Sequence, residues 1–204
     1  RGAMGNPVTK YPIKPIRFKD AAKSTLDAKK LWYDDKFGRL NVDEKGLFLG
    51  KFEAEDRLVV FYYDGNYEMI DQELTQRFDP EKIVSIQKFD SNKIFSAVYL
   101  DNDKMQYNVK RFKIETTTLN SKYFFIKEGK NNVLSAVSSD ETPLLNVKTG
   151  KGQQINNVKF KVDKLVEVMG WKAIGSKLMD FNKNIEMQFV QPKEETAQQN
   201  LFDE

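Results

Sequence analysis

The chain contains no cysteine and no histidine among its 204 residues, and these two absences remove whole classes of chemistry. Without imidazole or thiolate, neither a Ser–His nor a Cys–His nucleophile can be assembled within this chain. Zinc held by thiolate and imidazole is excluded too, and so is any disulfide. Absence of cysteine fits a reducing compartment, so a cytoplasmic location is the expectation. No run approaches 18 uncharged apolar residues, which leaves no candidate transmembrane helix. No basic-then-apolar leader opens the chain, and nothing points to export. Arg1-Gly-Ala-Met-Gly5 reads as the remnant of a protease site, outside the fold.

Charge is abundant: 33 Lys and Arg stand against 30 Asp and Glu, with 40% hydrophobic residues. The net charge of +3 is small, but its distribution is uneven. Residues 6–52 carry a net +5, residues 53–104 a net −6, residues 105–190 a net +6, and the tail from Gln191 a net −3. Two basic stretches flank an acidic one. Local fields of this kind, rather than net charge, attract polyanions, although mixed charge also simply solubilises a β surface.

A strand motif returns along the chain. Its copies are Asn6–Phe18, Gly38–Val42 with Leu47–Phe52, Gly65–Ile70 closing at Arg77-Phe78, Met105–Glu115, and a fainter Gln154–Val162. Short apolar strands lie between them at Arg57–Tyr63, Lys93–Leu100 and Asn132–Val137. The spacing is regular: 36 residues separate Asp56 from Asn92 and 40 separate Asn92 from Asn132. Repeats of about 20–50 residues mark arrays, because one small sheet cannot bury its apolar face alone. With strand-like units the pattern predicts an all-β, blade-by-blade radial fold. One domain over residues 6–190 follows, with an acidic, disordered tail over 191–204 whose only hydrophobic pair is Leu201-Phe202. Asp64-Gly65 predicts a hairpin turn and Asp101-Asn-Asp103 a second one. Lys23–Lys30 reads as a loop.

Catalytic constellations are missing. If Leu31–Asp35 is a strand, Asp34 and Asp35 point to opposite faces and cannot converge on a substrate. Asp101-Asn-Asp103 lacks the glycine and distal glutamate of a calcium loop, and Gly150-Lys-Gly152 has no phosphate-loop context. Enzymes built on propellers need converging carboxylates, which no spacing here supplies.

Specific strings resemble a known family. Gly5-Asn-Pro-Val-Thr-Lys-Tyr-Pro-Ile13, Ser24-Thr-Leu, Leu31-Trp-Tyr-Asp34, Arg39-Leu-Asn-Val42 and Gly46-Leu-Phe-Leu-Gly-Lys-Phe52 look like the C-terminal DNA-binding domain of the DNA-cleaving polypeptide of bacterial topoisomerase IV, within the gyrase A and topoisomerase IV A family. Val109-Lys-Arg-Phe-Lys-Ile-Glu-Thr-Thr117 and Gly170-Trp-Lys-Ala-Ile-Gly175 extend the likeness. The resemblance implies a β-pinwheel of about five strand-swapped blades whose basic rim binds and bends duplex DNA. It also implies an upstream breakage–reunion region with the catalytic tyrosine and a separate ATPase subunit. ATP and Mg would serve the whole type IIA enzyme, with no cofactor in this fragment, no membrane partner and a nucleoid-associated, cytoplasmic setting. The glycine-rich basic box of gyrase, QRRGGKG, is absent, which favours topoisomerase IV. Each arginine is followed by Gly, Phe or Leu, so the Arg-Tyr pair of the cleavage site is absent too.

Phosphate neutralisation along a curved rim needs lysine and arginine on outer strands rather than base-reading side chains. The expected DNA-contacting set is Lys10, Lys14, Arg17, Lys29, Lys30, Arg39, Lys110, Arg111, Lys113, Lys122, Lys159 and Lys161. The acidic region Asp56–Asp90 is expected to stay bare. The competing reading is a propeller-like protein–protein interaction module that binds no DNA, and salt-dependent DNA binding separates the two.

Overall fold

Four hairpins organise the described residues, each followed by a strand that lines a common channel. The structure, a computed structural model, describes residues 28–151 and 154–190. The first motif copy and the tail from residue 191 lie outside that range. The first unit comprises β1 (Lys29–Asp34), β2 (Arg39–Asn41) and β3 (Leu47–Phe52), so Lys29 and Lys30 open a strand rather than ending a loop. The second has β4 (Leu58–Tyr62), β5 (Asn66–Ile70) and, after a 3-10 turn at Pro80–Lys82, β6 (Ile83–Lys88). The third runs β7 (Phe95–Asp101), β8 (Gln106–Phe112), β9 (Lys122–Phe124) and β10 (Val133–Ser138). The fourth consists of β11 (Leu144–Lys151), β12 (Gln154–Lys161), the short helix α1 (Val162–Leu165), β13 (Val168–Met169), β14 (Ser176–Asp180) and β15 (Ile185–Phe189). Motif copies three to five contain the second hairpin strands β5, β8 and β12, and copy two spans the second hairpin strand β2 and the channel strand β3. The fold is therefore the expected all-β pinwheel, with four sheets among the described residues where about five blades were anticipated.

Side-chain alternation explains how the sheets stack. Successive strand residues point to opposite faces, and in β4 both faces are apolar. Leu58 and Val60 pack with Leu31, Tyr33, Leu40 and Phe52 of the first sheet. Val59 and Phe61 pack with Phe95, Ala97 and Phe112 of the third. β7 divides in the same way, since Val98 turns to Leu145, Val147 and Phe189 of the fourth sheet. The middle blades are thus buried on both faces. At about 1.5–3 kcal/mol per fully buried large aliphatic or aromatic side chain, these three cores supply the main cohesion between blades.

One strand of each sheet (β3, β6, β10 and β15) lines a channel of about 890 Å³, with Phe48, Ile86, Ala136 and Met187 on its wall. β1, β4, β7 and β11 lie next outward, followed by β2, β5, β8 and β12.

The chain does not simply finish one sheet and begin the next. After the second hairpin it returns to the first sheet, where Arg77 bridges Arg39 of β2. After the third it returns to the second sheet, where β9 pairs with β5. After the fourth, β13 and β14 both pair with β8 of the third sheet. Each return ends in the same latch: a phenylalanine amide donates to the carbonyl of the residue just before the second hairpin strand. The pairs are Phe78 to Gly38 at 2.8 Å, Phe125 to Gly65 at 3.1 Å and Phe181 to Met105 at 2.9 Å. All three acceptor residues have positive φ, at +59°, +82° and +49°, a region where glycine is least penalised. At Gly38 a Cβ would collide with the Phe78 backbone carbonyl.

Gly38→Ala should therefore cost about 2 kcal/mol, combining left-handed strain with a weakened latch. Urea unfolding followed by tryptophan fluorescence measures this; an unchanged midpoint would show that the latch contributes nothing.

Candidate nucleic-acid interface

Strand exchange decides where the cations lie. The first sheet receives Arg77 on its outer edge, cross-strand from Arg39. The second receives Lys122, which pairs with Glu68 in register and lays its ammonium over the Tyr62 ring at 4.5 Å. The third receives the segment carrying Lys172 and Lys177, both exposed. The fourth presents Lys159 and Lys161 on β12, in register with Asn146 and Leu144 and so on the face opposite the buried Leu145 and Val147. Among the described residues, no carboxylate lies within ion-pair distance of Arg77, Lys113, Lys122, Lys159 or Lys161. Lys177 is held by Asp180 at 2.6 Å.

Several expected contacts take these positions. Lys30, Lys113, Lys122, Lys159 and Lys161 are exposed. Lys29 is half-buried and donates to the Gln72 carbonyl at 3.4 Å. Arg39 stacks its guanidinium over Phe37 at 5.6 Å, with a buried Nε that has no partner among the described residues. Arg111 is half-buried and turns towards the Val166 carbonyl at 3.5 Å. Lys10, Lys14 and Arg17 lie outside the described residues.

Lys110 corrects the expectation outright. It is 0% exposed, and its ammonium donates to the carbonyls of Phe125 at 2.6 Å, Trp171 at 2.7 Å and Ala173 at 2.5 Å. The rings of Phe112 and Phe125 flank it at 5.0 and 5.8 Å. Burial pushes its pKa down to about 8. This lysine holds two return segments: the one ending on the second sheet at Phe125 and the one crossing the third sheet at Trp171–Ala173. It cannot meet a phosphate. The signal was present in the alternation, because Lys110 is in phase with Phe112 and Ile114, both buried.

Lys127 is also structural. Its ammonium contacts Asp101 at 3.0 Å and Asp103 at 3.1 Å, and the hydrogen bond to Asp101 raises its pKa. Asp34, expected to point away from Asp35, is buried and caps the first hairpin by accepting from the Lys36 and Phe37 amides at 3.0 and 3.2 Å. Among the described residues no group of three acidic side chains could hold a metal ion.

Sequence reasoning missed Arg77, Lys172 and Lys177. Arg77 sits within a stretch of net negative charge, and only the return of the chain onto β2 places it cross-strand from Arg39.

A radial β domain whose successive sheets share a channel and exchange outer strands is a β-pinwheel. More particularly, the chain belongs to the bacterial topoisomerase C-terminal domain family: the family model described as "Topoisomerase C-terminal domain, Bacteroidota" matches residues 39–193. A solved structure, "Crystal structure of the C-terminal domain of DNA topoisomerase IV", superposes with a TM-score of 0.56 at 15% identity. The match covers 82% of this chain and 62% of that one, so this chain spans less than two thirds of its structural relative. No curated protein matches significantly.

Lys110→Met should leave three carbonyls without their donor and destabilise the domain by about 2–5 kcal/mol, whereas Lys113→Met should stay within about 0.5 kcal/mol. The pKa of Lys110 drops on folding, so the unfolded chain holds that proton more tightly between about pH 8 and 10.5. Stability relative to Lys110→Met should accordingly rise with pH across that window. Denaturation at several pH values checks both; equal effects of the two substitutions would contradict the assignment.

Proposed function

We propose that this domain binds duplex DNA through its outer edge, without reading base sequence, and bends it so as to present a segment for strand passage. The observation that carries this reading is that each of the four sheets has exposed cations on its outer edge. These are Arg77, Lys122, Lys172 with Lys177, and Lys159 with Lys161. Such a row suits phosphates, which occur at regular spacing whatever the sequence. Neutralising them releases condensed counterions. That gain offsets a bending cost of about 1–6 kcal/mol for 40–90° over 20–30 base pairs.

The row is uneven. Lys122 and Arg77 line one cleft together with Asp64, Glu68 and Asp79, so the first and second sheets are its weakest stretch, while the third and fourth carry most of the contact. Such a track curves DNA less than a full wrap, which suits capture of crossings.

The chemistry belongs elsewhere in a type IIA topoisomerase. An upstream breakage–reunion region would supply the cleavage tyrosine, and a separate ATPase subunit would use ATP and Mg. This fragment carries no cofactor of its own. Its setting would be the cytoplasm, on the nucleoid; no helix among the described residues is long and apolar enough to cross a membrane.

Titration of labelled duplex DNA tests the reading. Six to ten phosphate contacts should lose about 10³–10⁵ in affinity between 50 and 200 mM salt. Lys159→Glu with Lys161→Glu should weaken binding at least about tenfold, a loss of about two contacts. Lys82→Glu should change little, since Lys82 closes the 3-10 turn that leads straight into the channel-lining strand β6 and lies on no outer strand. Salt-independent binding, or equal loss from both variants, would reject the rim. The fragment alone should neither cleave nor relax supercoiled plasmid.

A further inference from the structure

The three hairpin turns that the structure describes in full each leave one large apolar side chain in solvent: Phe37, Tyr63 and Met105, at 67%, 52% and 48% exposed. Turns of this kind are ordinarily built from Gly, Asn, Asp and Ser. Phe37 stands apart from the other two. It is more exposed than any other large hydrophobic side chain among the described residues, and it belongs to none of the three apolar cores. Its turn is pinned at both ends. The buried Asp34 carboxylate accepts from the Lys36 and Phe37 amides, and the Phe78 amide holds the Gly38 carbonyl at 2.8 Å.

Cations surround that ring. The Arg39 guanidinium lies over it at 5.6 Å, Lys36 is exposed beside it, and Arg77 bridges Arg39 from the return segment. One carboxylate, the exposed Asp35, shares the turn. Tyr63 by contrast lines a cleft with Asp64, Glu68 and Asp79, and Met105 lies two residues from Asp103, which pairs with Lys127. A rigidly mounted aromatic ring among cations has the make-up of a wedge. Phosphates draw the duplex to the charges, and the ring enters between neighbouring base pairs, partly unstacking them and kinking the helix by about 20–90°. Charge contributes least at the first sheet, because Arg77 shares its cleft with three carboxylates. An uncharged contact therefore adds most there.

We propose that Phe37 is a DNA-kinking residue, whose ring inserts between adjacent base pairs of a bound duplex while Lys36, Arg39 and Arg77 hold the flanking phosphates. This rests on the reading of the outer edge as a duplex-binding surface, and adds to it a local kink at a fixed place on the protein. A wedge responds to deformability rather than to base identity. It favours steps that unstack easily, such as TA and CA, and a mismatched pair still more.

The full chain is titrated with a duplex of about 30 base pairs carrying a fluorescent donor and acceptor at its ends, either fully paired or with one central mismatch. The unsubstituted chain should bind the mismatched duplex at least about threefold more tightly. Phe37→Ala should lose that preference and leave the bound duplex straighter by at least about 20°. Its salt dependence should not change, since no cation is removed. Phe37→Leu should keep most of both effects, because leucine also serves as a wedge. An unchanged bend and an unchanged mismatch preference in Phe37→Ala would overturn the wedge and leave the outer-edge reading standing. Loss of the salt dependence together with a lowered unfolding midpoint would mark Phe37 as structural and overturn it too. No salt-dependent duplex binding by the unsubstituted chain would overturn both readings.

Discussion

Every sheet of a radial array has an outer strand whose backbone N–H and C=O groups lack a neighbour, and that constraint shapes this domain. Unpaired strand edges invite association with other chains. Here the second, third and fourth hairpins are each followed by a segment that goes back and covers the sheet before. The cover is fastened by a phenylalanine amide at the carbonyl of a positive-φ residue, three times over. Blades that exchange strands in this manner cannot separate without breaking backbone hydrogen bonds, so the disc is tied by its ladders as well as by its three apolar cores.

The same device distributes charge. A lysine carried on a return segment stands on a sheet to which its sequence neighbours do not belong. Lys122 reaches the blade of Asp64 and Glu68, and Lys172 and Lys177 reach the blade built by β7 and β8. Exchange therefore gives the first three sheets an exposed cation on the outer edge, even though the residue stretch that builds the second is net negative, and the fourth carries Lys159 and Lys161 on its own strand β12. Buried Lys110 belongs to the same system from the inside: its three carbonyl partners lie on two return segments. One lysine of the Val109–Ile114 run is thus a fastener while its neighbour Lys113 faces solvent.

Much of this was legible in the sequence. β4, β7 and β10 fall on the three apolar runs, and Asp64-Gly65 forms the hairpin turn its residues predict. Within the described residues each copy of the repeated motif contains the second strand of a hairpin, and copy two runs on into β3. What stayed hidden was pairing between distant segments. β9 has three residues and β13 two, too short for alternation to show, and they become strands because an open edge awaits them. Charge counted along the chain could not anticipate Arg77 on β2 for that reason. Lys110 is a different failure: its phase with Phe112 and Ile114 marked it as inward, and only the habit of treating lysine as exposed placed it on the rim.

The central claim is that exchanged strands set a cationic outer edge for duplex DNA. Lysine acetylation of the full chain, with and without a saturating 40-base-pair duplex, tests it most directly when read by mass spectrometry. Lys122, Lys159, Lys161, Lys172 and Lys177 should be protected by DNA, Lys82 should react equally in both samples, and Lys110 should react in neither. Protection of Lys82 to the same degree as the outer-edge lysines, or no protection of those lysines by bound DNA, would contradict the account.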